Sequence, residues 1–170
     1  MRRLSLACLV LAGCGIADFD VAEPIPEQRI AGSGIPTPLA ALFPIPLSLD
    51  LSAQIKQQTT GPIGSVALSK LTLSITATDT PSGDTDDWSF VQDITVYVSS
   101  SKSGSSLPKV EIAHVASPGA VQSFDFTVDP GVDLKPYVDE GSVVDSTGHG
   151  TVPSDDVSYA GQGVFTVHPL

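Results

Sequence analysis

Three aspartates stand close together in one stretch of the chain: Asp84, Asp86 and Asp87. Carboxylate oxygens at short spacing are the hard ligands that Ca²⁺ prefers, but a calcium loop also needs a regular ligand series and a later acidic residue, which are missing here. Asp155 and Asp156 follow Pro-Ser, which is ordinary turn sequence. We interpret the first group as a solvated acidic turn, keep calcium as the weaker alternative, and expect no cofactor.

Histidines are the second set of residues that could do chemistry. His114, His149 and His168 are the three histidines of the chain, and no two of them have the short spacing of a zinc site. A hydrolase whose site is assembled from distant residues, such as His114 and neighbouring carboxylates, is the least favoured hypothesis. Ser99 to Lys102 fits S-x-x-K, but the S-D-N and K-T-G elements that accompany that motif are missing. The sequence therefore predicts a protein that is not an enzyme.

Trp88 and Tyr97 are candidates for ligand binding, because aromatic faces can stack on sugars. Tyr137 and Tyr159 could extend such a platform. Trp88, however, shares its alternation phase with Phe90, and large aromatic side chains contribute most when they are buried. With one Trp and three Tyr in the whole chain, core packing is the favoured interpretation and a sugar platform is the alternative.

The N-terminal segment has the three parts of a signal peptide: basic residues 2–3, an apolar run over residues 4–12, and a small-residue junction. The run is far shorter than the roughly 20 residues that cross a bilayer. The junction Leu11-Ala12-Gly13-Cys14 resembles the lipobox of bacterial lipoproteins. The resemblance implies cleavage between Gly13 and Cys14, lipidation of the Cys14 sulfur, and anchoring in the bilayer through that lipid.

Charge and cysteine content agree with a lipid anchor. The chain has 8 basic and 19 acidic residues, and loss of Arg2 and Arg3 with the signal peptide would lower its net charge from −11 to −13. Such a charge argues against nucleic acid as a partner and against recruitment by anionic lipids. Cys8 would also be removed, which leaves no disulfide within the mature chain. Because Gly15, not Asp, follows the cysteine, the resemblance favours the outer over the inner membrane.

The remaining chain divides by composition into a tether and a domain. Residues 14–41 are rich in proline and glycine and are predicted to form a tether, in which residues 18–21 alternate as an edge strand would. Residues 42–170 are predicted to form one domain. Their apolar residues recur with a period of two, beginning at Leu47, Leu49 and Leu51, with a change of phase at Ser69-Lys70 that predicts a bulge or a bend.

About seven to nine short strands separated by Gly, Pro, Ser and Asp turns predict an all-β fold, an antiparallel β-sandwich of Ig-like or related type, with a β-barrel as the alternative. This globular part is similar to uncharacterised acidic β-sandwich lipoproteins. We therefore expect a non-enzymatic, membrane-anchored envelope lipoprotein that acts as a structural, adhesion or assembly module with other envelope proteins. The alternative function is a carbohydrate- or small-ligand-binding domain.

Overall fold

The structure of the protein is a computed structural model that describes residues 17–32, 57, 61–78 and 85–170. The predicted lipobox with Cys14, the predicted strand around Leu49 and the candidate ligand Asp84 lie outside these residues. Two antiparallel sheets and one short helix make up the regular structure of the described part. Its elements are β1 (Phe19–Ile30), β2 (Ile63–Thr76), β3 (Val91–Ser100), β4 (Val110–Ala116), β5 (Ser123–Asp125), β6 (Thr127–Val128), α1 (Lys135–Glu140), β7 (Ser142–Gly150) and β8 (Val157–Pro169).

Within the described residues each sheet has four strands, and the two sheets form a sandwich. The first sheet has the order β1-β8-β2-β5 and the second the order β6-β4-β3-β7, with every neighbouring pair antiparallel. The two sheets do not close on each other into the barrel that the sequence left as an alternative. The predicted β-sandwich is therefore confirmed.

The first strand is longer than the sequence indicated. The edge strand expected over residues 18–21 is the beginning of β1, which continues to Ile30 and pairs with β8 along most of its length. Residues 19–30 therefore belong to the sandwich and not to a tether. Pro24 and Pro26 fit in β1 because it is an edge strand, where a missing N–H can face away from the neighbour. The pairing shifts register between Ile25 and Gln28.

The predicted change of phase in the second strand is a bulge. Leu68 pairs with Phe165 and Lys70 pairs with Val164, so Ser69 is an extra residue with no partner in the ladder. The hydroxyl of Ser69 donates to the carbonyl of Val164 at 2.9 Å. Because of this extra residue, the leucines on both sides of it can face the core in one continuous strand.

The alternating Phe124, Phe126 and Val128 predict a single strand, but residues 124–128 pass from one sheet to the other. β5 pairs with β2 in the first sheet and β6 pairs with β4 in the second. Between them the backbone N–H of Phe126 donates to the carbonyl of Leu71 at 2.9 Å, and Asp129 then donates to Ile112 at 3.0 Å. Such a crossing links the two layers covalently at one corner of the sandwich.

Two smaller elements agree with the local sequence. The serine-rich residues 99–104 are typical of a hairpin connection, and they follow β3 where it joins β4 as an antiparallel pair. Leu134 and Val138 are four residues apart, which predicts a single helical turn within residues 132–138; this turn is α1, in which the N–H of Val138 donates to the carbonyl of Leu134 at 3.0 Å. The helix ends at Gly141, whose φ of 92° favours glycine.

The core lies between the sheets and is built from the inward side chains of every long strand. Its largest fully buried members are Trp88, Tyr159, Phe165, Ile25, Leu68, Leu71, Leu73, Ile94, Ile112 and Leu134. Within the described residues, no helix has the length and apolar character needed to cross a bilayer.

Candidate functional site

A polar cleft of about 320 Å³ opens at one end of the sandwich. It lies between the segment that leads into β3, in the second sheet, and the segment that leads into β8, in the first. The N–H of Thr151, just after β7, donates to the carbonyl of Phe90, just before β3, at 2.9 Å. The described lining residues are Thr85, Asp86, Asp87, Ser89, Phe90, Pro153, Ser154, Asp155 and Val157.

Trp88 fixes the first of these segments, because it is completely buried. Its ring meets Phe124 edge to face at 5.0 Å between centroids and Tyr159 at 5.6 Å. Its backbone N–H donates to the carbonyl of Val121 at 3.0 Å. The interpretation of Trp88 as a sugar platform is therefore wrong, since a ring with no exposed surface cannot stack on a ligand.

The tyrosines do not join Trp88 in a platform. Tyr97 is half-buried on the outer side of β3, where Lys109 Nζ lies 4.7 Å from the centre of its ring. Tyr137 is buried and donates to the carbonyl of Pro108 at 2.8 Å. Tyr159 is in the core, and burial raises the pKa of its hydroxyl. The structure thus places Tyr97 on the outer side of the second sheet and Trp88 in the core between the sheets.

Aspartates give the cleft its chemical character. Asp87 accepts a hydrogen bond from the backbone N–H of Ser89 at 2.9 Å. Hydrogen bonds from the side chain and backbone of Ser89 hold the pKa of Asp87 below its ordinary value, so this carboxylate is ionised at neutral pH. On the other side of the cleft, Asp155 accepts from the hydroxyl of its neighbour Ser154 at 3.1 Å. The cleft is therefore lined by carboxylate oxygens that can accept hydrogen bonds.

Asp156 does not belong to this lining. One oxygen accepts from the backbone N–H of Gly32 at 2.7 Å, and the other forms an ion pair with Arg29, whose Nε lies at 2.9 Å. The hydrogen bond from Gly32 and then that from Arg29 lower the pKa of Asp156. This residue ties the end of β1 to the start of β8 and is structural.

The two acidic segments were considered separately in the sequence, and the fold brings them together. Asp86 and Asp87 on one side and Asp155 on the other line the same cleft, although about 70 residues separate them. The turn sequences themselves do not indicate that the two segments lie close together, because this depends on how the two sheets pack. Among the residues that the structure describes, no group of three His, Cys, Asp or Glu side chains is arranged to hold a metal ion.

The three histidines lie apart from one another, on β4, β7 and β8, and outside the described lining of the cleft. Each has one carboxylate within hydrogen-bond distance of its Nδ1, and the side chains of these pairs are largely exposed. The pairs are His114 with Glu111 at 2.8 Å, His149 with Asp93 at 2.7 Å and His168 with Asp18 at 2.9 Å.

The S-x-x-K sequence has a structural explanation. The Ser100 hydroxyl donates to Glu140 at 2.7 Å, and Lys102 Nζ lies 3.1 Å from the other oxygen of that carboxylate. Ser105 donates to Glu140 as well. The motif thus ties the β3–β4 connection to the end of α1.

Fold and cleft together define the class as an antiparallel β-sandwich with an acidic cleft at one end. No protein-family model and no curated protein matches this chain.

Proposed function

We propose that this protein is a lipid-anchored, non-enzymatic component of the bacterial cell envelope, in which the β-sandwich acts as a structural, adhesion or assembly module. The observation that carries the proposal is the tetrapeptide Leu11-Ala12-Gly13-Cys14 at the end of a short apolar run. Cys8 and Cys14 are the two cysteines of the chain, so after removal of residues 1–13 the sulfur of Cys14 is the single thiol available to a lipid.

The physical chemistry of membrane attachment favours a lipid over the protein surface. Each buried methylene of an acyl chain contributes about 0.8 kcal/mol, and two or more chains hold a protein stably where one does not. The acidic sandwich offers no polybasic surface, since the whole chain has 8 basic residues against 19 acidic ones. Attachment therefore depends on Cys14.

The anchor is tested by labelling with an alkyne analogue of palmitate in a bacterial host that has an outer membrane. We expect the wild-type chain to take up label and to fractionate with membranes, and the Cys14→Ser variant to lose both properties. Cys8→Ser is the matched control and should keep both, because residue 8 is removed with the signal peptide. Labelling that persists in Cys14→Ser, or that is lacking in the wild type, would overturn the anchor.

The proposed location in the outer membrane depends on the residue after Cys14. We expect the wild-type protein to sediment with the outer membrane on a density gradient. The Gly15→Asp variant should move to the inner-membrane fraction while keeping its lipid label. Equal distribution of both proteins would contradict the assignment.

The role as a module is tested by capture of envelope partners. Purified protein with Cys14 replaced by serine should retain specific proteins from solubilised native membranes, and a heat-unfolded sample of the same protein is the control. If the folded sample retains no envelope component beyond that control, the module role is wrong.

A second candidate function is favoured by the cleft, namely binding of a carbohydrate or another hydroxyl-rich small ligand. A volume of about 320 Å³ is within the usual range of ligand pockets, and Asp86 and Asp155 offer oxygens that accept from hydroxyl groups. A glycan array should then identify a ligand that raises the melting temperature, and by less in Asp155→Asn than in the control Glu27→Gln. An array and a calcium titration without any effect would overturn this candidate.

A further inference from the structure

The sandwich begins very close to the residue that would carry the lipid. Only residues 15–18 lie between Cys14 and Phe19, the first residue of β1. Since an extended chain covers at most about 3.6 Å per residue, the Cα atoms of Cys14 and Phe19 are at most about 18 Å apart. The proline-rich region after residue 32 therefore adds nothing to the reach of the anchor.

The chain is already fixed to the sandwich at the start of β1. Phe19 lies opposite Val167 in the ladder with β8, and Asp18 Oδ1 lies 2.9 Å from His168 Nδ1. Asp20 accepts a hydrogen bond from the hydroxyl of Thr166 at 2.7 Å. Because of these contacts, a lipid on Cys14 would lie near the end of the first sheet where β1 begins and β8 ends.

The same end carries the exposed side chain of Leu170. The N–H of Leu170 donates to the carbonyl of Pro62 at 2.9 Å, and Ile63 pairs with Pro169. The Leu170 side chain is 78% exposed, the largest exposure among the exposed large hydrophobic residues of the described chain. We call this region, formed by Phe19, His168 and Leu170, the proximal end.

The acidic cleft lies at the opposite end of the same sheet. β1 finishes with Ile30 opposite Val157, and Val157 lines the cleft. Val167 is ten steps along β8 from Val157, and at about 3.3 Å per residue the two ends are about 33 Å apart. This separation is several times the Debye length of about 8 Å at physiological salt.

We propose that the proximal end faces the surface of the bilayer at close range and that the acidic cleft points away from it. This inference rests on the proposed lipidation of Cys14. In this orientation the Asp18–His168 contact lies at the end nearest the lipid. Asp86, Asp87 and Asp155 are then several Debye lengths away from any charge on the membrane surface. The cleft is then presented to whatever lies beyond the membrane surface.

The test uses the full acylated protein with one added cysteine, either Leu170→Cys at the proximal end or Ser154→Cys at the cleft. Both positions are exposed. Since Cys14 carries the lipid and Cys8 is removed, the added thiol alone takes a fluorescent donor. The labelled proteins are reconstituted in phosphatidylcholine vesicles whose headgroups carry an acceptor dye. Energy transfer should be several-fold greater from residue 170 than from residue 154.

Flotation of the vesicles distinguishes a failure of the lipid anchor from a failure of the orientation. Protein that does not float with the vesicles would show that the lipid anchor, and with it the orientation, is wrong. Protein that floats but transfers energy equally from both positions, or more from residue 154, would overturn the orientation alone.

A longer connection provides the matched control. Insertion of about ten Gly and Ser residues after Gly15 adds a flexible segment with an end-to-end distance of about 17 Å. Flotation should be unchanged, while transfer from the Leu170→Cys position should fall. Unchanged transfer would contradict the conclusion that the short segment holds the proximal end at the bilayer.

Discussion

Asp133 accepts a hydrogen bond from the backbone N–H of Val66 at 3.0 Å, which joins the segment before α1 to the first sheet. Val66 precedes the part of β2 that pairs with β5, so on that side its N–H faces no strand among the residues that the structure describes. The same carboxylate oxygen accepts from the N–H of Lys135 at 2.9 Å, and the N–H of Leu134 donates to the carbonyl of Val66 at 2.7 Å. Asp133 thus supplies the acceptor that a neighbouring strand would otherwise offer to the N–H of Val66.

Replacement of Asp133 should therefore destabilise the fold. We expect Asp133→Ala to lower the free energy of unfolding by about 1–3 kcal/mol, because it removes the acceptor of an N–H at an almost fully buried residue. Asp133→Asn keeps an oxygen at this position and should cost clearly less. Urea unfolding followed by circular dichroism measures both, and equal stability of the two variants would contradict this role.

The burial of Trp88 leads to a second prediction. Trp88→Ala should lower the free energy of unfolding by about 3–5 kcal/mol, because it leaves a large cavity between the sheets. Trp88→Phe retains an aromatic ring and should cost less, which provides a folded variant if alanine is not tolerated. Tyr97→Ala on the outer surface should cost only about 1 kcal/mol, chiefly through its contact with Lys109. A smaller loss for Trp88→Ala than for Tyr97→Ala would contradict the position of Trp88 in the core.

Local patterns in the sequence predicted those features that depend on neighbouring residues. The alternation of apolar residues gave the strands, and its change of phase gave the bulge at Ser69, because a period of two assigns each side chain to one face. The spacing of Leu134 and Val138 gave the turn of α1. The extent of β1 was underestimated because its prolines oppose strand formation in general, whereas an edge strand tolerates them.

Features that depend on distant residues were not predictable in this way. The passage of residues 124–128 between sheets has the same alternating pattern as one continuous strand. The cleft arises because Asp86 and Asp155 precede strands of opposite sheets, and an alternating pattern does not show which strands become neighbours. For the same reason the contact of Asp18 with His168, which locates the proximal end, has no counterpart in the local sequence.

Gly161 lies where β8 is flanked on both sides, opposite Ile25 on β1 and Leu73 on β2. A Cβ atom there would come within 2.3 Å of the carbonyl oxygen of Thr72 and 2.6 Å of the Leu73 side chain. We expect Gly161→Ala to lower the free energy of unfolding by about 1–3 kcal/mol, since backbone must move to relieve the contact. Gly131→Ala, whose Cβ would meet only the Asp129 side chain at 3.2 Å, should change stability by less than about 0.5 kcal/mol. Equal effects would contradict the tight packing of β8.

Glu140 should contribute to the pH dependence of stability. Hydrogen bonds from Ser105, Ser100 and Lys102, in that order of importance, lower the pKa of this carboxyl from 4.5 to about 2. Because the folded protein has the lower pKa, the contribution of Glu140 is fully present above the ordinary pKa of 4.5 and is lost as the pH falls toward about 2.

Replacement of Glu140 by glutamine removes this titration while retaining an oxygen that accepts from the serines. The Glu140→Gln variant should be less stable than the wild type near neutral pH, and the difference should shrink steadily as the pH is lowered through the interval from 4.5 to about 2. Glu27→Gln, on the exposed side of β1, controls for the loss of one negative charge from an acidic protein. Urea midpoints of the wild type and of Glu140→Gln are measured across this interval. If the difference between them stays constant with pH, the charge of Glu140 does not hold the β3–β4 connection to α1.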